Sequence, residues 1–205
     1  MLTLHYAPNT CALATHIALE QAGAAYALAR VDFSRQEQRS EAFLRLNPNG
    51  RVPALVTPQG VLTETPALLL YVAQCYPAAG LAPLDDPFAL ARVQELNSYL
   101  CSTLHVAHAH RVRGARWSDD AAAQESMKRK VPQNMQAGCA LIESRLLAGP
   151  WVLGERYSIS DIYLFTVSEW LEADGVDIAA FPKLAALRQR MRDDPLVQRV
   201  KAAEA

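Results

Sequence analysis

The sequence predicts an α/β domain followed by an all-α domain, and the order of its local patterns carries this prediction. Residues 1–78 alternate between short strand patterns and helical periods, which is typical of a sheet with helices packed on it. From residue 88 to residue 205 only helical periods follow, rich in Ala, Leu, Arg and Glu. Residues 79–87 contain a glycine and two prolines between helical patterns, so we place a linker there.

The elements of the first domain can be assigned in chain order. LTLHY predicts a strand, and Leu13, Ile17 and Ala18 recur at helical spacing in the helix that follows, before Gly23 ends it. YALARVDF predicts a second strand and EAFLRLN a short helix. VPALVT and VLT are joined by the turn signal TPQG and predict two more strands, and TPALLLYVAQCY predicts a helix after them.

Composition limits the classes of function. With 205 residues, 51% of them hydrophobic, the chain can bury a core, and a net charge of −1 from interspersed charges predicts no binding to nucleic acid or to an anionic membrane. The N-terminus lacks a basic and apolar leader, and no stretch reaches the roughly 18 apolar residues of a membrane span. The four cysteines form no CxxC pair, so we expect free thiols in a cytoplasmic protein.

Cys11 follows the first predicted strand and lies in the first turn of the first predicted helix. The unpaired amides and the dipole of a helix N-terminus favour an anion, so a thiolate is stabilised there. An inert, buried cysteine is the alternative that the sequence leaves open. Ala14 occupies the place of a second cysteine, which excludes an internal disulfide cycle at this site. Cys11 must therefore work with a thiol brought from outside.

Two further motifs predict ligand contacts. In NPNGRVPALV, Pro53 opens a strand, and a cis bond there would leave the backbone of Val52 to pair with a ligand; an ordinary edge-strand proline is the alternative. In LTETPALLLYVA, Thr65 is predicted to be the N-cap of a helix with Pro66 in the first position. The helix amides could receive a carboxylate and Glu64 an ammonium group; a plain capping motif is the alternative.

These segments together resemble the bacterial beta class of glutathione S-transferases. The stretches YAPNTCALATHIALEQAG, NPNGRVPALV and LTETPALLLYVA occur in the order and spacing of that family, followed by a helical region. The resemblance implies a thioredoxin-like domain followed by a helical domain that carries the electrophile site. It also implies glutathione as cosubstrate, no metal, a homodimer and a role in detoxification.

The resemblance also implies roles for single residues. Cys11 matches the cysteine that touches the glutathione sulfur and can form a mixed disulfide with it, and Pro53 matches the cis-proline. The backbone of Val52 would pair with the cysteinyl part of glutathione, and Glu64 and Thr65 would hold its γ-glutamyl end. Two residues next to these positions differ from the family. Ala12 follows Cys11 where serine is frequent, and Val106 follows His105 where lysine is common. The loss of these polar side chains predicts weaker glutathione binding.

The long helical pattern after the linker has an apolar face and a polar stripe beside it. The apolar face comprises Val93, Leu96, Leu100, Leu104 and Ala107. The stripe, which we expect to line a cleft, comprises Gln94, Asn97, Cys101, His105 and His108. His105 matches the family's histidine, which points at the glutathione sulfur and can donate to it or move a proton. His108 is a candidate supporting residue, and the alternative is a polar residue on a helix at a domain or subunit contact. A metal site on His105 and His108 would lack a carboxylate ligand.

Four other residues belong to two further patterns, one near Cys11 and one at a predicted helix start. Tyr6 and Thr10 lie where other transferase classes carry a tyrosine or serine that stabilises the thiolate; the context of Cys11 favours a supporting or structural role for both. In YSISDIYLF, Ser158 and Asp161 have the spacing of a capping box, which indicates structure.

The sequence is compatible with three functions. The first is conjugation of glutathione to small electrophiles. The second is thiol exchange or peroxide reduction through a mixed disulfide on Cys11. The third is binding of glutathione or another ligand without turnover, because a fold does not fix a function.

Overall fold

The first of two units contains a four-stranded sheet. In the computed structural model, which describes residues 1–205, contacts divide the chain into Met1–Leu90 with Arg192–Ala205, and Ala91–Met191. The strand order is β2-β1-β3-β4, with β2 parallel to β1 and β3 antiparallel to both of its neighbours. The strands are β1 (Leu2–Tyr6), β2 (Tyr26–Arg30), β3 (Ala54–Thr57) and β4 (Gly60–Thr63). The four strands predicted from sequence are confirmed.

Three helices accompany this sheet: α1 (Ala12–Gln21), α2 (Glu41–Leu46) and α3 (Thr65–Cys75). Helix α1 supplies the crossover that the parallel pair β1 and β2 requires. Every residue from 12 to 19 is buried, because small alanines at 12, 14 and 18 let the helix be covered on all sides. Gly23 follows with a positive φ of 63°, a conformation in which glycine has no Cβ to clash, so its predicted role as the helix stop is confirmed.

The second unit is helical. It contains most of α4 (Pro87–Tyr99), then α5 (His105–Ala109), α6 (Ala121–Leu141), α7 (Ile159–Ser168) and most of α8 (Pro182–Asp193). Residues Leu100–Leu104 between α4 and α5 form a π-helical turn, which the helical period did not reveal. The predicted apolar face, from Val93 to Ala107, is buried as expected. Asn97 differs from the predicted stripe because it is fully buried rather than facing a cleft.

A capping box begins α7, as the sequence predicts. Asp161 is fully buried, and its carboxylate accepts hydrogen bonds from the backbone N–H of Ser158 at 2.8 Å and of Val152 at 2.7 Å. The hydroxyl of Ser158 lies 3.2 Å from the same carboxylate. One side chain therefore satisfies the helix start and the loop before it.

The stability contribution of Asp161 is expected to depend on pH. Burial raises the pKa of Asp161 from 3.8 to about 6, while the N–H donors act in the opposite direction. Because the folded pKa is the higher one, the part of this contribution that depends on protonation is fully present below about pH 4 and is lost as pH rises through about 6, while the acceptor role toward Val152 and Ser158 remains. Across that window the free energy of unfolding of the wild type should fall relative to Asp161→Asn by about 3 kcal/mol or less. Urea unfolding of both proteins at several pH values checks this, and a difference that stays constant would contradict it.

The C-terminal helix α9 (Pro195–Glu204) makes its contacts with the sheet unit. Residues 88–205 were assigned to the helical domain, but the contacts group Arg192–Ala205 with the sheet, because α9 packs on α1. Glu204 Oε1 lies 2.9 Å from His16 Nδ1, and both side chains are buried. A helical period gives the buried face of a helix but not the element that this face meets, so the sequence could not assign α9.

No helix in residues 1–205 combines the length and the apolar character needed to cross a membrane.

Candidate active site

Cys11 occupies the N-cap position of α1, at the point where the chain leaves β1. It is only 7% exposed, and its thiol donates to the carbonyl oxygen of Val52, with Sγ and O 3.6 Å apart. Two segments that are far apart in sequence therefore meet at the sulfur. Cys11 and Val52 were predicted from two different motifs, and the structure places them in contact.

The residues before Cys11 fix the helix start. The Thr10 hydroxyl donates to the carbonyl of Ala7 at 2.7 Å and accepts the N–H of Ala12 at 3.3 Å. Asn9 has a φ of 58°, in the left-handed region that asparagine tolerates better than most residues. Tyr6 is buried at the end of β1, with its ring centroid 6.2 Å from that of His16. The contacts of Thr10 hold the turn, which supports the structural role weighed for it.

The Val52–Pro53 peptide bond is cis. Its carbonyl side presents the Val52 oxygen to Cys11. Pro53 directly precedes β3, which lies between β1 and β4, so the alternative of an ordinary edge-strand proline is wrong. The local sequence favoured the edge position because it does not show the neighbours of a strand.

Helix α3 begins one residue earlier than predicted. Thr65 is its first residue and Glu64 takes the N-cap position without a side-chain capping bond, so the predicted N-cap role of Thr65 is wrong. Thr65 is buried, while Glu64 is exposed and has a φ of 71°. A positive φ at a residue with a side chain costs about 1–3 kcal/mol and persists where the surroundings enforce it, often at binding sites. Glu64 therefore leads directly into the first turn of α3, with its side chain exposed.

His105 begins α5, directly after the π-helical turn. Its Nδ1 lies 3.4 Å from the hydroxyl oxygen of Tyr163 on α7, at the long end for a hydrogen bond. The centroid of the Trp170 ring lies 5.0 Å from that of His105, with the planes inclined at 51°. π-helical turns are frequent at functional sites, because the extra residue shifts the side chains that follow.

His108 lies one turn further and contacts a buried carboxylate. Its Nδ1 is 2.9 Å and 2.8 Å from the two oxygens of Asp174, whose side chain is 0% exposed. The Nε of Arg111 lies 3.0 Å from Asp174, and the His108 ring stacks on Trp170 with centroids 4.3 Å apart. The ring of His108 is therefore both packed against an indole and paired with a carboxylate.

Sequence reasoning missed Tyr163, Trp170 and Asp174. Asp174 lies 66 residues from His108 and Tyr163 lies 58 residues from His105, so spacing along the chain carries no sign of either contact. Asp174 lies in the segment DGVDIAAFP, which the sequence pattern indicates only as a break between helices. No group of three or more His, Cys, Asp or Glu residues that could hold a metal ion occurs in residues 1–205.

Comparison with known proteins agrees with this geometry. The N-terminal domain of the glutathione S-transferase family matches residues 1–74, and the C-terminal domain of that family matches residues 120–202. Glutathione S-transferase GstA of Escherichia coli O157:H7 is 31% identical over 206 residues, which cover 99% of this chain and 98% of that protein.

Two solved structures extend the comparison. A glutathione transferase homologue from Sulfitobacter, crystallised with bound glutathione, is 47% identical with a TM-score of 0.96, covering 99% of this chain and 98% of that chain. A beta-class glutathione S-transferase of Sphingomonas chungbukensis is 34% identical with a TM-score of 0.84, and the coverage is again 99% and 98%. The resemblance and the fold predicted from sequence are confirmed. The chain belongs to the glutathione S-transferase family and is an enzyme of the transferase class.

Proposed function

We propose that this enzyme conjugates glutathione to small hydrophobic electrophiles, with Cys11 at the glutathione sulfur. The observation that carries this proposal is the contact between the Cys11 thiol and the Val52 carbonyl, beside the cis bond to Pro53. A backbone that meets a thiol at a helix start offers a place where the cysteinyl part of glutathione can pair and its sulfur can lie near Cys11. The family membership and the bound glutathione of the Sulfitobacter homologue support the choice of cosubstrate.

The γ-glutamyl end of glutathione is assigned to Glu64 and Thr65. The exposed carboxylate of Glu64 suits the ammonium group, and the first amides of α3 suit the neighbouring carboxylate. Val52 and Pro53 complete the binding residues through their backbone. Because Ala12 and Val106 lack polar side chains, we expect glutathione to bind more weakly than at sites with serine and lysine there.

The chemistry requires a glutathione thiolate and a positioned electrophile. The N-terminus of α1 and the Cys11 S–H can stabilise the thiolate, and His105 can donate a hydrogen bond to it or carry its proton. With 1-chloro-2,4-dinitrobenzene, the sulfur attacks the ring carbon, a carbon–sulfur bond forms, and the carbon–chlorine bond breaks to release chloride. Stabilisation and orientation of the thiolate are the enzyme's main contributions. Such conjugation would serve detoxification.

Thiol exchange is a second candidate, favoured by the presence of Cys11 itself. The Cys11 thiolate would attack oxidised glutathione, forming a mixed disulfide and releasing one glutathione thiolate. A second glutathione thiolate would then attack the mixed disulfide, regenerate Cys11 and restore oxidised glutathione. If the first disulfide joins glutathione to another thiol, that thiol is released and the net result is its reduction by one glutathione. With a peroxide, the Cys11 thiolate would take one oxygen to become a sulfenic acid and release an alcohol, a first glutathione would condense with it to give the mixed disulfide and water, and a second would release Cys11 and oxidised glutathione. The same residues bind glutathione in both reactions.

Replacing His105 should lower turnover without unfolding the protein. We expect His105→Ala to reduce kcat with 1-chloro-2,4-dinitrobenzene roughly tenfold or more, because general acid–base groups contribute on that scale. Steady-state rates for wild type and variant, with circular dichroism to verify folding, measure this. A folded variant with an unchanged kcat would remove His105 from the site. Absence of turnover in the wild type would instead shift the function to thiol exchange or binding.

Replacing Glu64 should weaken glutathione binding. Glu64→Gln keeps the size of the side chain and removes its charge, so the KM for glutathione should rise roughly tenfold, because a hydrogen bond to a charged group is lost. The exposed Glu41→Gln is the matched control and should leave the KM for glutathione unchanged, since Glu41 pairs with the exposed Arg45 on the same helix. An equal KM in Glu64→Gln and wild type would contradict the assignment.

The assembly and location follow from the family alone. We expect a homodimer in which the N-terminal domain of one subunit packs on the helical domain of the other, located in the cytoplasm. Light scattering of the purified protein tests the first expectation.

A further inference from the structure

The half-buried His108 and the buried Asp174 form a pair whose purpose the glutathione chemistry does not explain. The Asp174 side chain is 0% exposed and that of His108 is 16% exposed, while Nδ1 lies within 2.9 Å of both carboxylate oxygens. Burying a carboxylate is unfavourable unless partners surround it. Arg111, at 3.0 Å, supplies the opposite charge, so the pair is a built arrangement rather than a chance surface contact.

The Asp174 carboxylate fixes the tautomer and the orientation of the His108 ring. An ionised carboxylate only accepts hydrogen bonds, so Nδ1 must carry a proton whether the ring is neutral or charged. A ring that is held at one nitrogen cannot flip without breaking this bond. Asp174 thereby determines which face His108 presents to its neighbours.

The ring of Trp170 connects His108 to His105. His108 stacks on Trp170, with planes inclined at only 21° and centroids 4.3 Å apart, and Trp170 in turn lies 5.0 Å from the His105 ring. The centroids of the two histidine rings are 6.4 Å apart, so the closer contact of each ring is with the indole. The hydrogen bond of His105 to Tyr163 is long, at 3.4 Å, and constrains the ring less than a short one would.

We propose that Asp174 and His108 are positioning residues for His105. Asp174 holds His108, His108 holds the indole of Trp170 by stacking, and the indole limits the orientations of the His105 ring. This inference rests on the catalytic role proposed for His105. It assigns a purpose to an interaction that joins the α5 helix to the segment after α7.

The test compares kcat and KM in two backgrounds. His108→Leu removes both the ring and the Nδ1 donor, and Asp174→Asn removes the charge while keeping the shape. Each should lower kcat for 1-chloro-2,4-dinitrobenzene, roughly tenfold for His108→Leu and less for Asp174→Asn, with an unchanged KM for glutathione, because a small misplacement of a catalytic group slows the reaction itself. In a His105→Ala background the same substitutions should have no further effect on kcat.

Asp177→Asn is the matched control. It makes the same change three positions away, at an exposed residue that caps a short helix through the N–H of Ala179 and contacts neither histidine. Its kcat should equal that of the wild type. Side-chain nitrogen NMR gives a second readout: the His105 ring signals should move in His108→Leu and Asp174→Asn but not in Asp177→Asn.

The outcomes separate the two proposals. If His105→Ala turns over as fast as the wild type, the role of His105 fails and this inference fails with it. If His105→Ala is slow while folded His108→Leu and Asp174→Asn keep wild-type kcat and unmoved His105 signals, only the positioning role is overturned. Equal losses of kcat in the wild-type and His105→Ala backgrounds would also overturn it, since that pattern indicates a purely structural effect.

Discussion

Cys11→Ala should abolish the covalent adduct of glutathione with this protein. Incubation of the wild type with oxidised glutathione should add one glutathione mass at Cys11, and dithiothreitol should remove it, because thiol exchange is reversible. Alanine keeps the small apolar volume at the start of α1 but has no sulfur. Intact-protein mass spectrometry, followed by peptide mapping, measures the adduct and its position.

The other cysteines provide the control for this experiment. Cys139 is buried, and burial raises its pKa to about 12, whereas Cys75 is exposed and Cys101 is half-buried, so Cys75 and then Cys101 are the thiols that could compete. Cys75→Ala should retain the adduct on Cys11. If Cys11→Ala still carries an adduct on another cysteine, the wild-type peptide map decides. The assignment stands when the wild-type Cys11 peptide is modified as well. An unmodified Cys11 peptide in the wild type would defeat it.

Asp161→Ala should destabilise the protein strongly. The substitution removes the acceptor of the Val152 and Ser158 amides at a fully buried position, which should cost roughly 3–5 kcal/mol. For a chain of this length the melting temperature should fall by roughly 10 °C. Thermal unfolding followed by circular dichroism measures both proteins.

Asp120→Ala is the matched control for this prediction. Asp120 is an exposed N-cap that accepts only the N–H of Ala122, at 2.9 Å, so its loss should cost about 1 kcal/mol. The comparison separates the stability lost through burial of the capping carboxylate from the stability lost through helix capping alone. If the two variants melt at the same temperature, the buried network at Asp161 does not carry the stability assigned to it.

The candidate site shows which local signals select residues that meet in the fold. Cys11, Val52 and Pro53 were selected from separate motifs, and the structure brings their atoms together. Each signal is local, since a cysteine at a strand end, a proline at a strand start and a helix start can all be read within a few residues. The start of α3 was misplaced by one residue because Thr65 is a good capping residue, whereas the chain places Glu64 there with a positive φ.

What the sequence determined by itself is the set of elements and their class. The alternation in residues 1–78, the apolar face from Val93 to Ala107 and the capping box of α7 are periodic or short-range patterns, and these depend on neighbours along the chain. Only the tertiary structure decided which distant faces meet. It placed α9 on α1, β3 inside the sheet, and Asp174 on His108, because those contacts depend on packing between segments whose separation in sequence carries no signal.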